Sequence, residues 1–213
     1  VRLEIILDVL RVGLAQVPLI AAAKALLPKN KTEFEKCVRA LECFVFRTRT
    51  IQKTDTSELE RLLGEAARRI KSSGDVSSFI SYLKSKCNDA EFEEAFATHT
   101  DNRANVQYYI LREIETELLG KGGAGVIPRD HHQAKNHVEH VLPKTLSKDA
   151  SRFMEWSWFR AHPDKHKSLV NRIGNLMILE SQINKTVGNH SFEVKRGAPY
   201  KGSKSGASAP LKT

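Results

Sequence analysis

Cysteine is scarce in this 213-residue sequence, which contains only Cys37, Cys43 and Cys87. Three is an odd number, and the spacings match neither a disulfide framework nor a CxxC metal knuckle. We therefore expect a reducing, cytoplasmic setting. The chain begins at Val1 without a basic leader, so we expect it to be a piece of a longer protein.

Long hydrophobic runs are also missing. The most apolar segment, residues 12–27, is interrupted by Gln16, Pro18 and Lys24, whereas a membrane span needs roughly 18 clean apolar residues. With 40% apolar residues and 9 Phe, the chain can nevertheless bury a core, which excludes a disordered or collagen-like chain.

Acidic side chains are deficient in one half only. Residues 1–120 hold 18 basic and 18 acidic groups, whereas residues 121–213 hold 16 basic and 7 acidic groups, which accounts for the whole net charge of +9. Seven of the eight histidines also lie in the second half. This half is therefore expected to contain the chemistry and to bind an anionic partner such as nucleic acid.

The first half has the apolar spacing of helices. Residues 34–45 and 59–70 place apolar side chains three and four positions apart, and further helices are predicted over residues 5–14, 77–87 and 105–119. Capping pairs are predicted where helices begin: Thr32 with Glu35, Ser57 with Glu60, and Asn88 with Glu91.

Glycine is concentrated in residues 120–125, which lack the Gly-Lys-Ser/Thr ending of a phosphate-binding loop and are interpreted as a connector. We therefore predict a helical domain over residues 1–120 and a second domain over residues 121–203. Residues 204–213 are predicted to form a flexible tail.

Three segments of the basic half together suggest a single site. Residues 138–143 read Val-Glu-His-Val-Leu-Pro, and residues 171–179 form a strand-like stretch that contains Gly174-Asn175. Residues 180–185 follow with a polar, turn-like Glu-Ser-Gln-Ile-Asn-Lys sequence, and Phe192 and Lys195 lie beyond them.

This order resembles the HNH nuclease motif, also called the ββα-metal or His-Me finger. Within that group it resembles the C-terminal nuclease domain of GmrSD-type modification-dependent restriction proteins more specifically, and the phosphorothioate-sensing SspE proteins are similar in that half. The resemblance covers residues 100–200. It implies a mainly α-helical fold, a helical bundle with a small ββα-metal finger near the C-terminus.

The resemblance also implies roles for single residues. His140 matches the general base, and Asn175 matches the middle Asn, which braces the loop that carries the base and orients its imidazole. Glu139 and Asn184 would hold one divalent ion, and their oxygen ligands favour Mg²⁺ or Mn²⁺. On a strand, however, Glu139 and His140 would point to opposite faces unless the chain bends.

Three basic residues are expected to contact DNA phosphates: Arg172, Lys185 and Lys195. The resemblance implies a metal-dependent endonuclease that hydrolyses phosphodiester bonds, nicks double-stranded DNA and serves an antiphage restriction system. Family members usually carry an N-terminal nucleotide-hydrolysing sensor domain, which this sequence does not match. The expected partners are therefore DNA and such a domain of the full-length protein, with no membrane partner.

Other interpretations stay open at this point. His131, His132, His137 and His140 could bind structural zinc, because a spacing of three places the last two on one helical face. Aromatic residues 156, 158 and 159 favour core packing over base stacking. The finger could also be a catalytically silent DNA-binding or regulatory module, or it could cleave RNA.

Overall fold

A computed structural model describes residues 2–119, 136–146 and 154–197. The chain divides into two compact units, Val1–His99 and Thr100–Thr213. The boundary predicted between residues 120 and 121 and the tail predicted for residues 204–213 lie outside the described residues. The architecture is mainly helical with one two-stranded sheet, which confirms the coarse fold prediction.

The first unit consists of helices and tight helical turns in its described part. Its α-helices are α1 (Arg2–Glu4), α2 (Gln16–Leu26), α3 (Lys31–Val45), α4 (Thr56–Ser73), α5 (Val76–Ser85) and α6 (Asp89–Ala97). Two π-helical turns cover Ile5–Val9 and Phe46–Ile51, and a 3-10 turn covers Gly13–Ala15.

Helix α4 shows how the apolar spacing forms the core of this unit. Leu59, Leu63, Ala66 and Ile70 recur at three and four positions and are each at most 1% exposed. The helix ends at Gly74, whose φ of 64° is a conformation that glycine adopts without steric cost. Helices α2, α3 and α5 supply the remaining packed faces, as the predicted periodicity requires.

The observed helix starts correct two of the predicted caps. Asn30 caps α3 by accepting a hydrogen bond from the Glu33 amide, and Asp55 caps α4, so both helices begin before the predicted Thr32 and Ser57. Both of these earlier side chains satisfy amides that the first helical turn leaves free. The Asn88 cap of α6 is confirmed, since Asn88 accepts from the Glu91 amide.

The helix predicted over residues 5–14 is wrong. The chain leaves the π-helical turn at Leu10, and Arg11 adopts a φ of 58°, which breaks a helix, before Gly13–Ala15 begins a new turn. No described helix is both long enough and apolar enough to cross a membrane.

The second unit combines short helices with the sheet in its described part. Its elements are α7 (Ala104–Leu119), β1 (Asn136–His140), α8 (Met154–Ala161), α9 (Pro163–Leu169), β2 (Leu176–Glu180), α10 (Ser181–Val187) and α11 (Phe192–Arg196), with a 3-10 turn at Ile173–Asn175. The strand predicted from residue 171 therefore begins only at Leu176, because the 3-10 turn precedes it.

Strands β1 and β2 are antiparallel, with Glu139 opposite Met177 and His140 opposite Leu176. One face of this ribbon packs on α7, where Tyr108 and Leu111 contact Leu176 and Ile178. The other face carries Met177 and Leu179, which pack against Ile183 of α10. Alternation along the strands thus separates the ribbon into an α7 face and an α10 face.

Candidate active site

His140 is the last residue of β1, and its ring is held by a chain of two asparagines. The imidazole Nε2 lies 3.1 Å from Asn171 Oδ1, and Asn171 Nδ2 donates to Asn102 Oδ1 at 2.7 Å. Because the amide nitrogen of Asn171 is used by Asn102, its oxygen faces the ring as an acceptor. Nε2 therefore donates, and the free lone pair of the neutral ring lies on Nδ1.

The surroundings of His140 favour the neutral imidazole. Burial lowers the pKa of His140 below its ordinary value, and the positive charges of Lys144 and Lys195 lower it further, whereas the hydrogen bond to Asn171 opposes these effects. A ring with a lowered pKa is unprotonated at neutral pH. It can then accept a proton from a water molecule.

Asn175 fixes the bend that follows His140. Its Oδ1 accepts from the Leu142 amide at 2.7 Å, and its Nδ2 donates to the carbonyl oxygens of Leu142 at 3.1 Å and Val170 at 2.8 Å. These bonds join the segment after β1 to the segment before β2. The hydrogen-bond partner of the imidazole is Asn171 rather than Asn175.

Glu139 lies on the other face of the ribbon, beside a lysine. Lys195 Nζ donates to Glu139 Oε1 at 2.6 Å and to the carbonyl oxygens of His140 and Val141 at 2.9 and 3.2 Å. Lys195 is 0% exposed and Glu139 7% exposed. Desolvation lowers the pKa of the Lys195 ammonium, and the Glu139 carboxylate opposes that shift.

The burial of Lys195 does not support the phosphate contact predicted for it. All three ammonium hydrogens have acceptors within the protein, so a phosphate would have to displace them. The other two basic residues are more accessible. Lys185 is exposed on α10, and Arg172 is partly exposed, with its Nε donating to the Ser168 carbonyl at 3.2 Å.

Asn184 and Glu139 have the oxygen chemistry that a hard divalent ion requires. The Oδ1 atom of Asn184 is buried and accepts no hydrogen bond within the described part of the chain. A buried acceptor without a donor is unfavourable unless something else satisfies it. Helix α10, which carries Asn184, packs through Ile183 on the face from which Glu139 projects. A carboxylate and an amide oxygen are ligand types that suit Mg²⁺ or Mn²⁺.

The structure does not support the helical geometry on which a zinc site at His137 and His140 depends. His137 and His140 lie on a strand rather than a helix, so a spacing of three directs their side chains to opposite faces. Residues 131 and 132 lie outside the described residues. Within residues 2–119, 136–146 and 154–197, no group of three or more His, Cys, Asp or Glu side chains could hold a metal ion.

Two residues of this arrangement escaped the sequence analysis. Asn171 is the first residue of the strand-like stretch over residues 171–179, and its place four residues before Asn175 was a signal that could have drawn attention to it. Asn102 precedes α7 and lies 69 residues from Asn171 along the chain. No spacing or motif connects it to the ribbon of β1 and β2.

Comparison with known proteins identifies the family of the chain. Residues 87–211, more than half of the chain, match the family model described as the C-terminal domain of GmrSD restriction endonucleases. The matched range includes every candidate residue discussed above. No curated protein and no solved structure matches the chain.

Proposed function

The chain belongs to the family of GmrSD restriction endonuclease C-terminal domains, and we propose that it is an HNH endonuclease that uses a divalent metal ion to nick double-stranded DNA. Family membership itself implies a restriction-endonuclease-type function. In the proposal, β1, β2 and α10 form the ββα-metal finger, with the DNA phosphodiester as the bond that is hydrolysed.

The observation that most supports this function is the orientation of His140. Hydrolysis needs a base that is neutral at working pH and whose lone pair faces the attacking water. The bond from Nε2 to Asn171 leaves Nδ1 free, and burial keeps the ring neutral. His140 Nδ1 takes the water proton, and the Asn171 oxygen then stabilises the charged ring through the Nε2 hydrogen.

Glu139 and Asn184 would hold the metal ion through one carboxylate oxygen and one amide oxygen. A bound divalent ion neutralises charge that develops on the phosphate oxygens and the leaving group. Lys195 holds the Glu139 carboxylate in place and offsets its charge. Asn175 keeps the bend after His140 rigid, so that the base does not move during the reaction.

Cleavage of one strand follows from one centre per finger. The chain would act with an N-terminal nucleotide-hydrolysing sensor domain of the full-length protein in an antiphage, modification-dependent system in the cytoplasm. Arg172 and Lys185 remain the proposed phosphate contacts, because both are accessible beside the finger.

A plasmid-nicking assay in Mg²⁺ or Mn²⁺ tests the proposal. The chain should convert supercoiled plasmid to open circles, and His140→Ala should slow this by about 10²- to 10⁴-fold, which is the usual contribution of a general base. His137→Ala is the matched control, since this exposed histidine on the same strand points away from the α7 face.

Two outcomes would reject parts of the proposal. Full activity in His140→Ala would remove the base, and salt-sensitive DNA binding without metal-dependent cleavage would indicate a silent binding module. Replacing the plasmid by RNA of equal length decides between the two nucleic acids.

A further inference from the structure

The second unit exposes a tryptophan that its core does not use. Trp158 of α8 is 51% exposed, whereas Trp156, two residues earlier, is 8% exposed. Large aromatic side chains are costly to leave in water and are enriched at binding surfaces. The apolar helical spacing predicts core packing for both residues, and only Trp156 fits that prediction.

The indole of Trp158 is held in a fixed orientation by its neighbours. The ring of His162 stacks on it with centroids 4.2 Å apart and an interplanar angle of 20°, and Phe159 contacts it edge-on at 5.1 Å. His162 Nδ1 also lies 2.8 Å from the Trp158 carbonyl oxygen. A stacked, oriented ring loses little conformational entropy when another flat ring is added to it.

Side chains of α8 and α9 contact two segments that flank residues of the candidate active site. Trp156 Nε1 donates to the His190 carbonyl at 3.3 Å, between α10 and α11. His166 Nε2 lies 2.8 Å from the Pro143 carbonyl oxygen, three residues after His140. The exposed Trp158 therefore belongs to a segment that borders the proposed phosphodiester site.

The charge of this segment suits a polyanion. Residues 156–172 contain four basic side chains and one acidic side chain, Asp164. Arg160, Lys165 and Lys167 are exposed. Exposed cations interleaved with an exposed aromatic ring are the combination that binds single-stranded nucleic acid, where rings stack on bases and cations contact phosphates.

We propose that the Trp158–His162 stack binds an unpaired DNA base next to the bond that is cut, so that the enzyme prefers DNA with locally unpaired nucleotides. This inference rests on the proposed nuclease function for its choice of DNA. Bases inside an intact duplex have both faces covered by their neighbours, so an indole can stack only on a base that is extruded or unpaired.

Fluorescence and anisotropy titrations in EDTA test the inference without cleavage. The probes are a 20-nucleotide single strand, its intact duplex, and the same duplex with a single-nucleotide bulge. We expect the single strand and the bulged duplex to quench the tryptophan emission and to bind more tightly than the intact duplex. Trp158→Ala should weaken their binding by about 5- to 150-fold, the range for loss of one stacked base.

The control variants separate stacking from general effects. Trp158→Phe should keep most of the affinity, because a phenyl ring can still stack, and His162→Ala should give an intermediate loss. Leu118→Ala removes another exposed apolar side chain, 69% exposed on α7, and should change no affinity. Circular dichroism verifies that each variant is folded, which is expected at such exposed positions.

The outcomes distinguish this inference from the proposed function. Equal affinity of Trp158→Ala and the unchanged protein for the bulged duplex would overturn the inference, as would equal affinity of the unchanged protein for bulged and intact duplex. Trp158-dependent binding by a protein that cleaves no DNA would support the inference while refuting the nuclease. Metal-dependent nicking by a protein whose DNA binding does not depend on Trp158 would support the nuclease and refute the inference.

Discussion

Asn171→Ala is the substitution that most directly tests the arrangement around His140. It removes the acceptor 3.1 Å from Nε2 and leaves the rest of the ribbon unchanged in sequence. The ring loses its fixed orientation and its preference for the tautomer with the lone pair on Nδ1. Loss of the partner that orients a functional histidine typically lowers activity about 10- to 100-fold, and we expect kcat to fall by that factor with KM little changed.

The structure predicts the direction in which Asn171→Ala shifts the pH profile of kcat. The hydrogen bond to Asn171 raises the pKa of His140, against the larger lowering by burial, so its removal lowers the pKa further. The acidic limb of the kcat profile should move to lower pH, and the plateau above pH 7 should fall. If the substitution instead lowered kcat by favouring the protonated His140 ring, kcat would recover at high pH.

Long-range ¹⁵N–¹H NMR correlation of the His140 ring provides a readout that does not depend on activity. It should show a protonated Nε2 in the unchanged protein and a mixture of tautomers in Asn171→Ala. Asn102→Ala should affect the tautomer and kcat less, because it frees the Asn171 amide nitrogen without removing the oxygen that accepts from His140 Nε2. Unchanged kcat and tautomer in Asn171→Ala, or full additivity of Asn171→Ala with His140→Ala, would refute the reasoning.

Further predictions concern the other contacts of the site. Lys195→Met should destabilise the protein by about 3–5 kcal/mol in urea unfolding, because it removes the ammonium group that neutralises the buried Glu139 carboxylate; adding Glu139→Leu should recover most of this, and equal instability of the double variant would contradict it. Asn175→Ala should cost about 1–3 kcal/mol in the same assay by leaving backbone groups of the bend unsatisfied. Asn184→Ala should raise the Mg²⁺ concentration needed for half-maximal nicking and not the DNA KM, and an unchanged metal requirement would remove this ligand. The lowered pKa of His140 means that the unfolded state binds its proton first as pH falls, so stability should decline below about pH 6.5; His140→Gln should flatten this decline in thermal melts at pH 5 to 7.

The sequence was most informative where the structure depends on local spacing. The apolar period of α4 and the Glu139-His140 pair before a bend could be predicted, because helix faces and motif order are local properties. The caps at Thr32 and Ser57 were each misplaced by two residues, since neighbouring polar side chains compete for the same free amides. Burial of Lys195 was not predictable, because a lysine in a basic segment is usually solvated and only the folded chain places it against Glu139.

Contacts between distant segments account for the remaining differences. Asn102 meets Asn171 only because α7 packs on the ribbon through Tyr108 and Leu111, which brings the start of α7 beside the finger. The division between core and surface among the aromatic residues of α8 likewise depends on the His190 carbonyl that receives the Trp156 indole. Hydrophobic periodicity predicts a face of a helix, but it does not predict which loop covers that face.

Because the side chains of Glu139 and His140 project to opposite faces of β1, the proposed site needs a bend after His140 and a residue that holds this bend in place. Consecutive residues of a strand project to opposite faces, and the two contact different partners here, Lys195 and Asn171. His140 is the last residue of β1, so the strand does not continue between the two faces beyond this point. Asn175 holds the chain immediately after this point. In the proposed site, the end of the ribbon is therefore the place where the face that carries Glu139 and the face that carries His140 come closest along the chain, which an uninterrupted strand would prevent.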